Sequence, residues 1–293
     1  MADSAKRAIR LAFDRAAPGY DASAFLQREI AHRLDEHLDG MKIEPDLILD
    51  AGCGTGYGIP LLRARYPKSS VIALDLAPAM LRETLRQHGP KGWRKLLARL
   101  TPPRLTAICA DLERLPLAHH SVDMIWSSLA LQWANLDSAF REARRVLKPG
   151  GLFLFASFGP DTLKELRAAS AGVDGHARVN RFIDMHDVGD ALVQAGFGGP
   201  VMEMETLTLT YGDLADLFAD LRGIGAHTVL DNPRRGLMGK LAWRRLGENY
   251  ERFRRADGQL PATYEVVYGH AWASGPQKRA DGSQVIEFAR RGR

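Results

Sequence analysis

The 293-residue sequence contains only two cysteines, Cys53 and Cys109, each near the end of a predicted strand. This scarcity excludes a disulfide framework and a cysteine-rich zinc site, so both are predicted to be small buried residues. No stretch approaches the roughly 18 uninterrupted apolar residues of a membrane span, and the N-terminal segment lacks the apolar part of a secretion signal. The composition therefore predicts a cytoplasmic protein without a metal site or a membrane-spanning segment.

Acidic residues are slightly fewer than basic ones, 35 against 40, which gives a net charge of +5 and an isoelectric point of about 9.3. This surplus suits an acidic partner, whether RNA, a membrane surface or an acidic protein, but it is also compatible with ordinary solubility. Positive charge is concentrated in the stretch 88–104 and in the tail 278–293. A solvated surface is the simpler interpretation of each, and contact with a partner is the alternative.

Short apolar runs alternate with segments long enough for helices from about residue 45 onward. This rhythm predicts an α/β fold of the Rossmann-like kind, a mostly parallel sheet with helices on both faces. The predicted strands are 47–50, 71–75, 105–111, 122–127, 152–157, 201–211 and 263–272.

The whole chain is expected to form one domain, because 293 residues suit a single large α/β domain with insertions. Its predicted parts are a helical N-terminal cap (1–44), a cofactor-binding core (45–160), a substrate-side half (161–275) and a basic tail (276–293). A mostly helical insertion, 213–257, lies between the last two predicted strands and is expected to cover one end of the sheet. Helices are also predicted at 138–147, 161–169 and 187–195, the second capped by Asp161.

The motif DAGCGTGYG, residues 50–58, follows the first predicted strand and has a glycine at every second position from Gly52. Glycine allows positive φ and a close approach of backbone to ligand, so this loop is predicted to bind a cofactor. A nicotinamide fingerprint, G-x-G-x-x-G/A, fails because it ends on Tyr57 when read from Gly52 and on Ile59 when read from Gly54. A P-loop fails as well, since no Gly-Lys-Ser/Thr follows.

Acidic side chains end three successive predicted strands. Asp50 would repel a pyrophosphate and suits a ligand with an ammonium group. Asp75 is placed to accept the hydrogens of both ribose hydroxyls, and Asp111, beside Leu112, is placed to meet an adenine amino group. S-adenosylmethionine carries all of these groups and no phosphate. Capping of the following helix is the alternative role for each acid, and it explains one acid better than three together.

The motifs DAGCGTG, LDLAPAML, ADLERLPL and KPGG resemble, over residues 45–160, those of class I S-adenosylmethionine-dependent methyltransferases. The resemblance implies a seven-stranded sheet whose last strand is antiparallel. Arg28, in the motif LQR, is interpreted either as a partner of the cofactor carboxylate or as part of a surface ion pair. The predicted cofactor-binding residues are Arg28, Asp50, Gly52, Gly54, Gly56, Asp75, Leu76, Asp111, Leu112 and Ser127.

Further stretches across nearly the whole chain, among them FDRAAPGYD, LALQW, FGPDTLKELR, DMHDVGDAL, IGAH and TYEVVYGHAW, resemble the malonyl-acyl-carrier-protein O-methyltransferases of biotin synthesis. That family implies methyl transfer to the free carboxylate of a malonyl thioester on acyl carrier protein, an acidic partner. An Asn/Asp-Pro-Pro-aromatic element, typical of many N-methyltransferases, is missing after the fourth strand. The predicted substrate-side residues are Tyr20, Gln132, Trp133, His186 and His227, with Arg181 and Arg222 as further candidates for a carboxylate anchor.

Three alternatives stay open at this stage. One is a methyltransferase that acts on another small acid or on a quinone-like carbon. Another is an assembly factor or hydroxylase that has kept the cofactor fold, because fold alone does not determine function. A nicotinamide oxidoreductase fits least, since its glycine fingerprint fails in both registers.

Overall fold

A computed structural model describes residues 2–90, 104–226 and 238–273. Within these residues the chain forms a seven-stranded sheet with the strand order β3-β2-β1-β4-β5-β7-β6. The last strand in the sequence, β7, runs antiparallel to both of its neighbours, which confirms the predicted sheet. The strands are β1 (Leu47–Ala51), β2 (Ser70–Asp75), β3 (Leu105–Cys109), β4 (Val122–Ser128), β5 (Leu147–Phe158), β6 (Gly198–Tyr211) and β7 (Leu260–Trp272).

Helices flank the sheet and precede it in the chain. The described α-helices are α1 (Ala2–Ala16), α2 (Tyr20–Ser23), α3 (Phe25–Glu36), α4 (Gly58–Arg65), α5 (Pro78–His88), α6 (Leu136–Val146), α7 (Lys164–Ser170), α8 (Met185–Gln194), α9 (Leu214–Gly223) and α10 (Lys240–Tyr250). The first three form the predicted N-terminal helical extension. The pair α9 and α10 lies between β6 and β7, where the helical insertion was predicted.

The sheet separates two apolar layers, because side chains alternate in direction along each strand. In β5, Leu152 and Leu154 belong to one layer, whereas Phe153 and Phe155 belong to the other. The first layer packs against α3, α7, α9 and α10, and the second packs against α6 and α8. With both faces covered, the central strands are apolar along most of their length.

The order in which successive strands are added to the sheet reverses between β1 and β4. From β1 the chain proceeds outward to β2 and β3, then returns to β4 and proceeds the other way to β5. The loops after β1 and β4 therefore diverge and leave a crevice at the carboxyl ends of these strands, which is where open α/β sheets bind ligands. The glycine loop follows β1 and lies at this crevice.

Two local predictions are wrong. Asp161 does not cap α7, because the helix begins three residues later and Asp161 instead accepts a hydrogen bond from Lys164 Nζ at 3.0 Å. Cys109 is exposed rather than buried, since β3 is an edge strand, whereas Cys53 is buried as predicted. Most of the basic stretch 88–104 and all of the tail 276–293 lie outside the described residues.

Candidate active site

The crevice holds two adjoining cavities, which we name by the aspartate in each. The Asp75 lobe encloses about 620 Å³ of empty space and the Asp50 lobe about 500 Å³, part of each open to solvent. The lobes are contiguous around the glycine loop, because four residues line both: Tyr20, Gly52, Gly54 and Ser128.

Asp50 lies in β1 with only 2% of its surface exposed. Its Oδ2 atom accepts no hydrogen bond from the described part of the chain. Burial, together with the charge of Asp75, raises the pKa of this carboxyl group to about 8. An unpaired buried carboxylate is costly unless a ligand supplies a donor or a positive charge. The Asp50 lobe therefore suits a cationic group.

Asp75 ends β2 and is held across the mouth of the glycine loop by two backbone amides. Its Oδ2 atom accepts a hydrogen bond from the Gly54 amide at 2.9 Å, and its Oδ1 atom accepts one from the Ala77 amide at 2.8 Å. Burial raises the pKa of the carboxyl group to about 6, against the lowering effect of these amides. Each carboxylate oxygen accepts about two hydrogen bonds, so Asp75 retains acceptor capacity toward its lobe.

The glycines of the loop differ in what they contact. Gly52, Gly54 and Gly56 have φ values of 83°, 54° and 89°, in the left-handed region. Gly52 and Gly54 line both lobes, and their contact with a ligand stays a prediction. Gly56 lines neither lobe. It packs on α5 instead, where an added Cβ would lie 2.9 Å from the Thr84 side chain and 2.8 Å from the His88 side chain. The lack of a side chain at Gly56 therefore allows the glycine loop to pack closely on α5.

Replacing Gly52 with alanine is expected to lower the free energy of unfolding by about 2 kcal/mol or more. The positive φ costs a non-glycine residue about 1–2 kcal/mol, and the new Cβ would lie 2.2 Å from Ala130 Cβ. Urea denaturation measures the change. Gly40→Ala is the matched control, since Gly40 has a φ of 81° and an added Cβ there would meet no described atom within 4 Å. Equal losses for both variants would contradict the role given to the Ala130 contact.

Asp111 lies in a turn after β3, two residues beyond the strand end at Cys109, and not at the strand end as predicted. It lines the Asp75 lobe together with Leu76 and Leu112. Its Oδ1 atom accepts hydrogen bonds from Lys6 Nζ at 2.9 Å and from the Glu113 amide at 3.0 Å. Leu76, Asp111 and Leu112 therefore lie near one another, with Lys6 as an additional neighbour, and their contact with a cofactor stays a prediction.

The N-terminal helix α1 closes the Asp75 lobe on its outer side. Lys6, Ile9 and Phe13 line the lobe, and the Phe13 ring packs edge-on against Trp133 with 5.4 Å between ring centroids. Lys6 also forms an ion pair with Glu113 at 2.6 Å. The sequence interpretation missed these residues of α1. Their spacing of i, i+3 and i+7, which places them on one helix face, is the signal that could have identified them.

Tyr20 is the first residue of α2 and lies at the junction of the two lobes. The next residue, Asp21, fastens α2 to the core, because its carboxylate accepts hydrogen bonds from Thr55 Oγ1 at 2.6 Å and Gln87 Nε2 at 2.8 Å. Burial, followed by the charges of Asp75 and Asp21, raises the pKa of the Tyr20 hydroxyl well above its usual value. This hydroxyl therefore stays protonated and can donate a hydrogen bond into the site.

Of the other predicted residues, Arg28 and Trp133 line the crevice and Gln132 does not. Arg28, on α3, lines the Asp50 lobe and donates a hydrogen bond to the Asp21 carbonyl oxygen. Trp133 lines the Asp75 lobe. Gln132 Nε2 donates to the Leu129 carbonyl oxygen at 2.8 Å, so this side chain is directed to the loop after β4.

Ser127 does not face either lobe. It is fully buried, and its hydroxyl donates a hydrogen bond to the Ala51 carbonyl oxygen at 2.8 Å, in the neighbouring strand β1. The next residue, Ser128, lines both lobes. Because side chains alternate along a strand, an error of one residue reverses the direction of the side chain, and Ser128 replaces Ser127 in the site.

Three predicted polar residues lie away from the lobes. His186, at the start of α8, is 80% exposed and contacts Asp184 at 2.7 Å. Arg181 and Arg222 are exposed, and neither of them lines a lobe. The structure therefore places His186 at the surface beside a helix cap, and not at the crevice as a substrate-side residue. His227 lies outside the described residues, so its predicted role is not tested.

Residues 2–90, 104–226 and 238–273 contain no group of three or more histidine, cysteine or acidic side chains placed to bind a metal ion. In the same part of the chain, none of the helices combines the length and apolar character needed to span a bilayer.

Known proteins are similar to this chain over its core and over its whole length. Residues 49–155 match a family model described as a methyltransferase domain. The chain is 54% identical to the malonyl-acyl-carrier-protein O-methyltransferase of Laribacter hongkongensis, over 97% of this chain and 95% of that protein. The protein of the same name from Gallionella capsiferriformans is also 54% identical, over 96% of each chain. The chain belongs to the malonyl-acyl-carrier-protein O-methyltransferase family.

Solved structures agree with the fold of this O-methyltransferase. A methyltransferase of unassigned activity from Bacillus halodurans superposes with a TM-score of 0.55 at 17% identity, covering 84% of this chain and 99% of that one. The YcgJ protein from Bacillus subtilis gives a TM-score of 0.54 at 15% identity, covering 83% and 99%. At such low identity these two structures establish the shared fold and nothing about the substrate.

Proposed function

We propose that this O-methyltransferase converts the free carboxylate of a malonyl group on acyl carrier protein to its methyl ester, with S-adenosylmethionine as methyl donor. The observation that carries the proposal is the 54% identity, over nearly the whole chain, to relatives named for this reaction. The ester masks a charge, so that fatty acid synthesis can extend the chain as an early step toward biotin. The net charge of +5 suits an acidic carrier protein, and a cytoplasmic location is proposed with it.

The Asp50 lobe fits the amino acid end of S-adenosylmethionine. The buried Oδ2 atom of Asp50, which has no donor in the described part of the chain, suits the ammonium group. Arg28, which lines the same lobe, is a suitable partner for the carboxylate. Gly52 and Gly54 have no side chains to obstruct the approach of this end of the cofactor to the loop.

The Asp75 lobe fits the nucleoside end. Asp75 has acceptor capacity left for the ribose hydroxyls, since two backbone amides fix its carboxylate without exhausting it. Leu76 and Leu112 provide apolar walls for the adenine ring, and Asp111 is an acceptor for the amino group. These assignments, like those in the Asp50 lobe, are proposals that rest on the lining of the crevice.

When bound, the cofactor supplies a methyl group on a positively charged sulfur atom, which a carboxylate can attack directly. A malonyl carboxylate has a pKa of about 4 and is ionised at neutral pH, so no side chain has to remove a proton. The protein must instead align the two reactants and exclude water. In our proposal Tyr20 donates a hydrogen bond to the second carboxylate oxygen, and Phe13 and Trp133 exclude water. His227 remains a proposed contributor.

Binding of S-adenosylhomocysteine is expected to release close to one proton at pH 7. With a pKa of about 8, Asp50 is mostly protonated in the free protein, and a cationic amino group beside it favours the ionised form. The affinity should therefore rise as the pH rises toward 8. Calorimetry in buffers of different ionisation enthalpy measures the proton release. Asp50→Asn should abolish it, and a release unaffected by that substitution would assign the proton to another group.

The proposed reaction is tested with purified protein, S-adenosylmethionine and malonyl-acyl carrier protein. Mass spectrometry should show a carrier protein heavier by one methyl group and stoichiometric S-adenosylhomocysteine. Malonyl-coenzyme A and free malonate, assayed in parallel, show whether the carrier is required. No ester from any malonyl thioester would overturn the proposal, and complementation of a biotin auxotroph that lacks this methylation step tests it in a cell.

A further inference from the structure

A third cavity lies beside the crevice, between the start of α3, the end of β6, α9 and β7. It encloses about 850 Å³ of empty space, part of it open to solvent, and we name it the α3–α9 cavity. Its lining includes Phe25, Gln27, Leu209, Tyr211, Asp220 and Leu221. None of the roles proposed above for the cofactor or the malonyl carboxylate uses this space.

The α3–α9 cavity adjoins the proposed reaction centre. Gln27, on α3, lines both this cavity and the Asp50 lobe. At the open side, Phe25 is 60% exposed, which is unusual for a phenylalanine and leaves an apolar ring at the entrance. The cavity therefore runs from an apolar entrance at the surface to a wall that it shares with the crevice.

The cavity offers acceptor oxygen atoms as well as hydroxyl groups. Gln27 Oε1 is buried and accepts no hydrogen bond from the described residues. Asp220 contributes a carboxylate, and its charge, after burial, helps to raise the pKa of the neighbouring Tyr211 hydroxyl to about 12. Among the residues that the structure describes, the lining contains no lysine, arginine or histidine. A ligand with amide N–H groups and apolar carbon suits this lining, whereas an anion would be poorly accommodated.

We propose that the α3–α9 cavity binds the pantetheine arm through which acyl carrier protein presents its acyl group. This inference rests on the proposed function, because it takes the substrate to be a carrier-bound thioester. The arm has two amide groups and a dimethyl-substituted carbon, which match the acceptors and the apolar walls. Its phosphate end would remain at the entrance near Phe25, and its thioester end would pass Gln27 toward Tyr20. The absence of cations from the described lining agrees with a reacting carboxylate that lies elsewhere.

The test is to narrow the α3–α9 cavity with the substitution Thr208→Trp. Thr208 is an exposed residue of β6 and lines this cavity. We expect the KM for malonyl-acyl carrier protein to rise about 10-fold or more, with little change in the KM for S-adenosylmethionine. Malonyl-pantetheine, which is the arm without the protein, should lose affinity equally, measured as KM or as Ki against the carrier substrate. Thr206→Trp is the matched control, because Thr206 is also exposed on β6, two residues away on the same side of the strand, and does not line the cavity.

A second variant, Tyr211→Phe, removes one hydroxyl from the cavity and keeps its shape. It should raise the KM for both malonyl thioesters about 3- to 10-fold and leave S-adenosylhomocysteine binding unchanged. Thr208→Trp kinetics like those of the wild type, or an effect on the carrier protein without one on malonyl-pantetheine, would overturn the inference. In both of those cases the proposed function still holds as long as the wild-type enzyme methylates malonyl-acyl carrier protein. A wild-type enzyme without this activity would refute the proposed function, and the inference with it.

Discussion

Replacing Asp75 with alanine should weaken the binding of S-adenosylhomocysteine at least 100-fold. The variant loses the proposed hydrogen bonds to two ribose hydroxyls, and a hydrogen bond to a charged group contributes about 1.5–3 kcal/mol. It also releases the Gly54 and Ala77 amides, which Asp75 holds at 2.9 and 2.8 Å, so the glycine loop loses an anchor. Isothermal titration calorimetry measures the affinity directly.

The controls for this prediction separate a lost ligand contact from a damaged fold. Asp187→Ala removes an exposed acid in the first turn of α8 and should leave the affinity unchanged. Asp75→Asn keeps one acceptor oxygen and should fall between the wild type and the alanine variant. Thermal unfolding identifies variants that fail to fold. A folded Asp75→Ala protein with wild-type affinity would remove the ribose assignment.

The sheet could be predicted from the sequence because its central strands are buried on both faces. Each such strand appears as a short apolar run, and acids at strand ends stand out against it. The two acids that end or nearly end β1 and β2, Asp50 and Asp75, are therefore found correctly at the crevice. The edges were harder to predict, since β3 ends at Cys109 and the exposure of that residue depends on the missing neighbour strand.

Side-chain direction and long-range contacts could not be predicted from local patterns. The choice between Ser127 and Ser128 depends on the register of β4 against β1, where one residue reverses the face. The contribution of Lys6 depends on how α1 lies across the sheet, because its partners Asp111 and Glu113 are more than 100 residues away in the chain. His186 looked functional by residue type alone, but the helix cap formed by Asp184 accounts for its only described polar contacts.

Backbone strain is another feature that the sequence did not reveal. Leu129, directly after β4, has a φ of 54°, a conformation that is unfavourable for a branched side chain. Its amide donates a hydrogen bond to the Ala156 carbonyl oxygen at 2.9 Å, and the residue lines the Asp75 lobe. The hydrogen bond holds the loop after β4 in this conformation, and the loop carries Trp133 to the crevice. Strain of this kind is concentrated at functional sites.

Replacing Tyr20 with phenylalanine should lower kcat about 100-fold and change the affinity for S-adenosylhomocysteine less than about 2-fold. Tyr20 lies at the junction of the two lobes, and its hydroxyl is protonated at neutral pH, because its pKa is raised above an ordinary value that already lies well above 7. A protonated hydroxyl can hold the second oxygen of the attacking carboxylate, whereas an ionised one would repel it. The hydroxyl would act by holding this carboxylate in line with the methyl group, and a misplacement of about 1 Å at a reacting centre can cost about 100-fold in rate. Steady-state turnover with malonyl-acyl carrier protein, together with calorimetry, separates the two effects.

Tyr57→Phe provides the matched control for Tyr20. Tyr57 also lines the Asp50 lobe, but its hydroxyl is paired with His32 Nε2 at 2.9 Å, so its removal should change kcat less than about 3-fold. A Tyr20→Phe enzyme with wild-type turnover would exclude the Tyr20 hydroxyl as the anchor of the malonyl carboxylate and leave His227 as the remaining candidate. A parallel loss of turnover and cofactor affinity would instead assign Tyr20 to the cofactor site. Only a selective loss of turnover supports a hydroxyl that acts on the acceptor, because that loss requires the cofactor to remain bound.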